Sequence, residues 1–156
     1  MEKPATPADA DLILKLYELR REAQMRKARD WFAFHCWPQN FEELAKLIGD
    51  FGAPENAYFR QVTSYWEMAA SLVLRGALDA GLFLDSSSEM FFVYARLKPF
   101  LAEARQKFNP EFMAKVEKLA ESTPEGRARV ERMQEHFKAD HWKKFREQSL
   151  QSGAGR

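Results

Sequence analysis

The stretch from Asn56 to Arg75 contains no glycine or proline and is apolar on almost every face of a helix, with Tyr58, Phe59, Val62, Tyr65, Trp66, Met68, Ala69, Ala70, Leu72, Val73 and Leu74. A helix apolar on one stripe lies on a surface, but one apolar all round has to be enclosed by other elements. The segment therefore predicts a central helix, and the rest of the chain has to supply its cover. Composition agrees. Val, Ile and Thr together number 10 against 21 Ala and 15 Leu, which disfavours strands and favours helices. With 156 residues, 46% of them hydrophobic, the chain is long enough for one sizeable core and short for two domains. The expected fold is all-α, a single irregular bundle of five or six helices over residues 1–150, followed by a flexible tail over 151–156.

Helix starts are marked by Thr6-Pro7, Asn109-Pro110 and Thr123-Pro124, since proline at the first helical position loses no hydrogen bond and the preceding residue caps. Asn40 and Glu43 form a fourth start close to a capping box. The periodicity predicts a long helix over 7–34, with a shift of face toward Trp31 and Phe34, and a short helix over 41–48 closed by Gly49. It continues with the central helix over 56–75, a helix over 88–108 kinked near 95–98 by Pro99, a helix from 109 to about 121, and one over 124–148. The long helices at 7–34, 88–108 and 124–148 are expected to pack around the central one.

Charge narrows the partners. The 24 Lys and Arg nearly cancel the 23 Asp and Glu, so no global field attracts polyanions. The segment Phe41–Gly49 looks like the opening of a helix-turn-helix, yet the turn that follows is too long, and four acids face one base from Asn40 to Ala57. Nucleic acid is not expected as a partner, and neither is a membrane, because no apolar segment is long enough to span one. The N-terminal residues lack the pattern of a secretory signal and Cys36 is the lone cysteine, which together read as a cytoplasmic chain.

Chemistry-bearing clusters are few. His35, His136 and His141 do not fall at chelating spacings, so no metal site is assigned. Cys36 lies within Phe34-His35-Cys36-Trp37, where a thiol fills core volume, and Ser86, Ser87 and Ser88 read as helix caps. No catalytic residue and no cofactor are assigned. The richest constellation surrounds Glu67, an acid within the most apolar helix, which needs a partner or a raised pKa. Arg60 lies seven residues earlier on roughly the same face, and Arg96 or Lys98 can reach it from the kinked helix. Either these groups form an internal ion pair that fixes helix register, or Arg60, Trp66, Glu67, Arg96 and Lys98 line a pocket for a small ligand.

The run from Tyr65 to Asp79, together with Leu97-Lys98-Pro99-Phe100-Leu101 and Arg105, resembles an uncharacterised bacterial family of helical domains over about Phe59 to Phe108. The resemblance implies an aromatic-rich helix carrying an acid, a glycine turn and a later kinked helix. It implies no established activity. Many members of that family begin with a membrane-spanning helix, for which these residues offer no counterpart. A second feature is the stripe Val130, Met133, Phe137, His141 and Phe145, with Trp142 to its side and basic residues along its rim. It predicts an interaction face, and the leading expectation is a non-enzymatic module that binds a protein partner or itself as a homo-oligomer. A small-ligand-binding protein with a pocket near Glu67 is the alternative, and an enzyme the third.

Overall fold

The computed structural model describes the backbone of residues 3–153 and the side chains of residues 3–148. Among the described residues there is no strand, so the all-α class holds, but the chain forms ten α-helical segments and one 3-10 turn where five or six helices were expected. Three expected helices are each cut once. Helix α1 (Pro7–Arg21) and helix α2 (Ala23–His35) separate at Glu22, whose backbone turns extended at ψ 143°. Its carboxylate then accepts the N–H groups of Gln24 (3.0 Å) and Met25 (3.1 Å), so an acid inside the apparent helix acts as a new N-cap. The shift of face between Ala23 and Trp31 is the trace this break leaves in the sequence.

Helix α3 (Phe41–Gly49) starts on Asn40, whose Oδ1 accepts the Glu43 N–H at 2.9 Å; Glu43 reaches back to the Gln39 N–H. Helix α4 (Pro54–Leu74) is the predicted central helix and buries Phe59, Val62, Trp66, Ala69 and Ala70. It ends at Gly76, whose φ of +75° is open to glycine at no steric cost. Helix α5 (Ala80–Ser86) is capped by Asp79. Helix α6 (Ser88–Leu97) passes through a 3-10 turn at Lys98–Phe100 into α7 (Leu101–Lys107), the distortion expected of Pro99.

Asn109-Pro110 does not start a helix. Residues 110–113 make a turn, and α8 (Ala114–Ala120) begins only after Met113, a buried residue in the left-handed region at φ 56°. The carbonyl of Phe112 is held by Arg105 Nε at 2.9 Å while its ring stacks on Phe59 at 6.0 Å, so tertiary contacts override the proline signal. Helix α9 (Pro124–His136) is capped by Thr123, and α10 (Asp140–Gly153) follows a break at Phe137, Lys138 and Ala139. Of the expected tail, residues 154–156 lie outside the described residues.

Helix α4 packs chiefly on α2 and α8, with α3 and α5 against its two ends, and leaves a face with Arg60, Ser64 and Met68 exposed. The segments 88–108 and 124–148, both expected against α4, make their chief contacts elsewhere: α6 lies on α9 and α8, α7 on α3, α9 on α6 and α8, and α10 on α2. The core is continuous through Phe32, Trp66, Phe83, Tyr94, Val116 and Val130, all nearly inaccessible to solvent.

Candidate functional site

The residues singled out around Glu67 do not converge. Glu67 keeps 21% of its side-chain exposure and pairs with none of Arg60, Arg96 or Lys98. Its two carboxylate oxygens accept the backbone N–H groups of Lys115 (3.0 Å) and Val116 (3.1 Å), and the Lys115 ammonium stands 3.5 Å away. An acid on the central helix thus caps α8 from outside, where the helix dipole and the unpaired N–H groups both favour negative charge.

Arg96 is the opposite case. It lies on α6, is only 5% exposed, and its Nη1 donates to the carbonyls of Phe32 (2.6 Å), Cys36 (3.1 Å) and Ala33 (3.2 Å) at the C-terminal end of α2. Among the described residues no carboxylate pairs with it. The guanidinium lies instead over the rings of Trp37 (3.6 Å), Phe92 (4.2 Å) and Phe137 (4.8 Å), and Nε and Nη2 find no acceptor. Burial disfavours its charge and lowers its pKa, while the carbonyls and ring faces hold the charged form in place. The Cys36 thiol beside it is pushed up to about 12 by burial, against the pull of the Arg96 charge.

Lys98 is paired at 2.6 Å with Glu121, which also accepts from the Tyr94 hydroxyl at 2.7 Å. The Lys98 hydrogen bond, with smaller help from Tyr94, holds the Glu121 carboxyl below its ordinary range. Trp66 is buried edge-on against Tyr65 with its Nε1 unpaired, under the Arg20 guanidinium at 5.2 Å. Neither Trp66, Arg96 nor Lys98 borders a space that Arg60 and Glu67 share.

Arg60 and Glu67 do border one. A cleft of about 510 Å³ opens between the end of α3, one face of α4 and the turn at 108–113. Its apolar surface comes from Ile48, Phe59, Ala104, Phe112 and Met113, and two rings flank it, Phe51 at 78% exposure and Phe108 at 48%. Polar groups enter from α4 and the turn: Asn56, Arg60, Thr63 and Ser64 on the helix, Asn109 and Glu111 opposite. Asn56 is 1% exposed and engaged on both ends of its amide. Its Nδ2 donates to the Leu47 (2.9 Å) and Ile48 (3.0 Å) carbonyls, closing α3, and its Oδ1 accepts from Arg60 Nε at 2.9 Å. A buried amide therefore fixes the exposed guanidinium at the rim, with its two terminal nitrogens unpaired.

Sequence reasoning missed Asn56, Phe51, Phe108, Phe112 and Met113. An amide on a helix otherwise filled with apolar side chains is a readable signal, since a buried amide needs partners. The turn at 110–113 left none.

The interface stripe is largely taken up within the chain. Val130 is fully buried and Phe137 nearly so, Met133, Trp142 and Phe145 are half-buried against the core, and His141 is exposed. The Trp142 ring lies 5.4 Å from Trp37, 5.9 Å from Phe92 and 6.3 Å from Phe34, and its Nε1 donates to His136 Nε2 at 3.0 Å.

Residues 5–123 match a family known as a domain of unknown function, DUF4760. The chain belongs to that family. The DUF4760 match extends well past the resemblance noted over 59–108 and takes in α1 to α8, the Glu67 cap, the whole cleft, and Arg96 with Trp37 and Phe92 but not Phe137. Helices α9 and α10 lie beyond it. No curated protein and no solved structure matches this DUF4760 chain. Among the described residues no helix is long and apolar enough to cross a membrane, and no group of three His, Cys, Asp or Glu side chains is placed to hold a metal ion.

Proposed function

We propose that the chain is a binding domain whose site is the cleft between α3, α4 and the turn at 108–113, and that its ligand is a small apolar molecule bearing one carboxylate. The observation that carries this reading is Arg60, a guanidinium oriented by a buried amide and left with free donors at the edge of an aromatic cleft. A volume of about 510 Å³ lies in the range of sites for small organic molecules, which are mostly apolar with a few fixed polar groups. Arginine suits a carboxylate because its planar fork makes two parallel hydrogen bonds, and the rings of Phe51, Phe59, Phe108 and Phe112 suit the apolar remainder. Glu67 does not compete for the guanidinium, because α8 already satisfies both of its oxygens. The reading is binding without turnover: the cleft's side chains include no histidine or cysteine, and Ser64 Oγ donates to its own helix at 3.5 Å.

Calorimetry with phenylbutyrate and its neutral counterpart phenylbutanol tests it. Wild type should bind the acid more tightly than the alcohol, and Arg60→Gln should weaken the acid roughly tenfold or more while leaving the alcohol unchanged. Equal affinity for both compounds, or an Arg60→Gln variant that binds the acid as well as wild type, overturns the proposal.

A further inference from the structure

The periodicity of Val130, Met133, Phe137, His141 and Phe145 is that of one helix, and nothing in Phe137-Lys138-Ala139 obliges it to break, since none of the three is glycine or proline. The break is imposed by tertiary contacts. α10 folds back so that Trp142 meets Phe34, Trp37 and Phe92, and Phe145 lies 5.1 Å from Phe34. Arg146 then donates to the carbonyls of Phe137 and Ala139, the second of which also accepts the Trp142 N–H at 3.1 Å; a continuous helix would give them the N–H groups of His141 and Lys143 instead.

α10 covers only part of the apolar surface it lies on. An open groove of about 360 Å³ lies between α2, α6 and Trp142, lined by Phe32, Phe34, Phe92 and Met133. A second space of about 470 Å³ lies on another side of the same ring, against Arg129, Arg132 and His136. α10 makes its chief contact with α2, whereas α9 is anchored in the core by fully buried Val130. α10 thus lies at the periphery while α9 reaches the core, and the connection between them is three residues long.

We propose that α10 exchanges between two copies of the chain. In the exchanged form α9 and α10 fuse into one helix of about 45 Å, and the Trp142 and Phe145 rings of each copy occupy the groove formed by Phe34, Trp37 and Phe92 of the other. The occupant is a second copy because the Phe34, Trp37 and Phe92 rings that α10 meets within its own chain are all present on an identical neighbour. Fusion also replaces the tight-turn bonds that bridge the break, from the N–H groups of Lys138, Ala139 and Trp142 to the carbonyls three residues earlier, with regular helical ones, which a foreign helix would not do. This inference is independent of the cleft, which lies within α3 to α8.

Sedimentation of the full chain from low to several hundred micromolar tests it, with the mass rising from 18.2 kDa toward twice that value. Asp140→Pro places proline at the first position of α10, where the folded-back form accepts it and a fused helix does not, and should weaken the dimer at least about tenfold. A second readout identifies the contact. Copies carrying Phe34→Cys are mixed with copies carrying Phe145→Cys, both in a Cys36→Ala background, and the exchange predicts disulfide-linked pairs joined between those two positions. A monomer at every concentration overturns the proposal, as does a dimer that forms no such link and tolerates Asp140→Pro.

Discussion

Arg96 and Glu67 carry opposite charges and are put to the same use at opposite ends of two helices, yet the space around them differs. Arg96 closes the C-terminal carbonyls of α2 and is enclosed by aromatic rings. Glu67 closes the N-terminal N–H groups of α8 and stands at the edge of a cleft. Each charge complements the helix dipole at its own end. The contrast teaches that a charge inside a bundle can be paired by backbone alone, and that what makes one such place a site and the other a part of the core is the room left beside it.

Breaking the Arg96 side should have the larger effect. Arg96→Ala removes three hydrogen bonds, leaves the α2 carbonyls unpaired and opens a cavity, for an expected loss of about 3–5 kcal/mol in denaturant unfolding. Arg96→Met keeps most of the apolar stem, so its smaller loss, about 2–3 kcal/mol, isolates the carbonyls. The Cys36 thiol reports the same event. Its pKa is raised to about 12 from 9.0, so native protein at pH 8 should label slowly with a thiol reagent and Arg96→Ala much faster. The sign of its linkage follows: the unfolded thiol ionises first, so this group's contribution is constant below pH 9 and falls as pH rises toward 12. Cys36→Ala should flatten that alkaline loss.

On the other side, Glu67→Ala should cost about 1–2 kcal/mol, as the loss of a cap does. Glu67→Gln should cost less, because its amide oxygen still accepts one of the two N–H groups. Equal, near-zero changes would show that α8 needs no cap from α4.

Both residues were visible in the sequence as charges in apolar helices, and so was the central place of α4. Their partners were not, because a backbone carbonyl or N–H has no letter of its own and every residue offers one. Opposite charges at plausible reach suggested a pairing between side chains, but Arg96 meets α2 and Glu67 meets α8. The breaks at Glu22 and at Phe137 to Ala139 were hidden because neither contains glycine or proline: the first is a cap made by the Glu22 carboxylate, the second is set by the packing of α10. Asn40, Thr123 and Pro99 acted locally as expected, since caps and proline kinks depend on neighbouring backbone. The cleft was half legible, through Arg60 and Glu67, while Phe51, Phe108 and the left-handed Met113 came together only by folding.

The smallest effect belongs to a charge pair that faces solvent. Lys98 and Glu121 are 39% and 27% exposed, so Lys98→Met should cost under about 1 kcal/mol at neutral pH. With the Glu121 carboxyl held below 4.5, this contribution is present above that pH and lost as pH falls through the folded-state value, and the variant, which keeps only the Tyr94 hydrogen bond, should show a smaller acid-dependent loss. Comparing its salt sensitivity with that of Glu67→Ala sharpens the distinction, because an exposed pair is screened and a backbone cap much less so.

The most direct test of an open region beside Glu67 and a closed one around Arg96 is a nuclear magnetic resonance titration of the isotope-labelled chain with phenylbutyrate. The account predicts shifts at Phe59, Arg60, Thr63, Phe108 and Phe112, with the Arg96 side chain and its ring neighbours Trp37 and Phe92 unmoved. Shifts centred on Arg96 and Trp37, or none at Arg60 at saturating ligand, would contradict it.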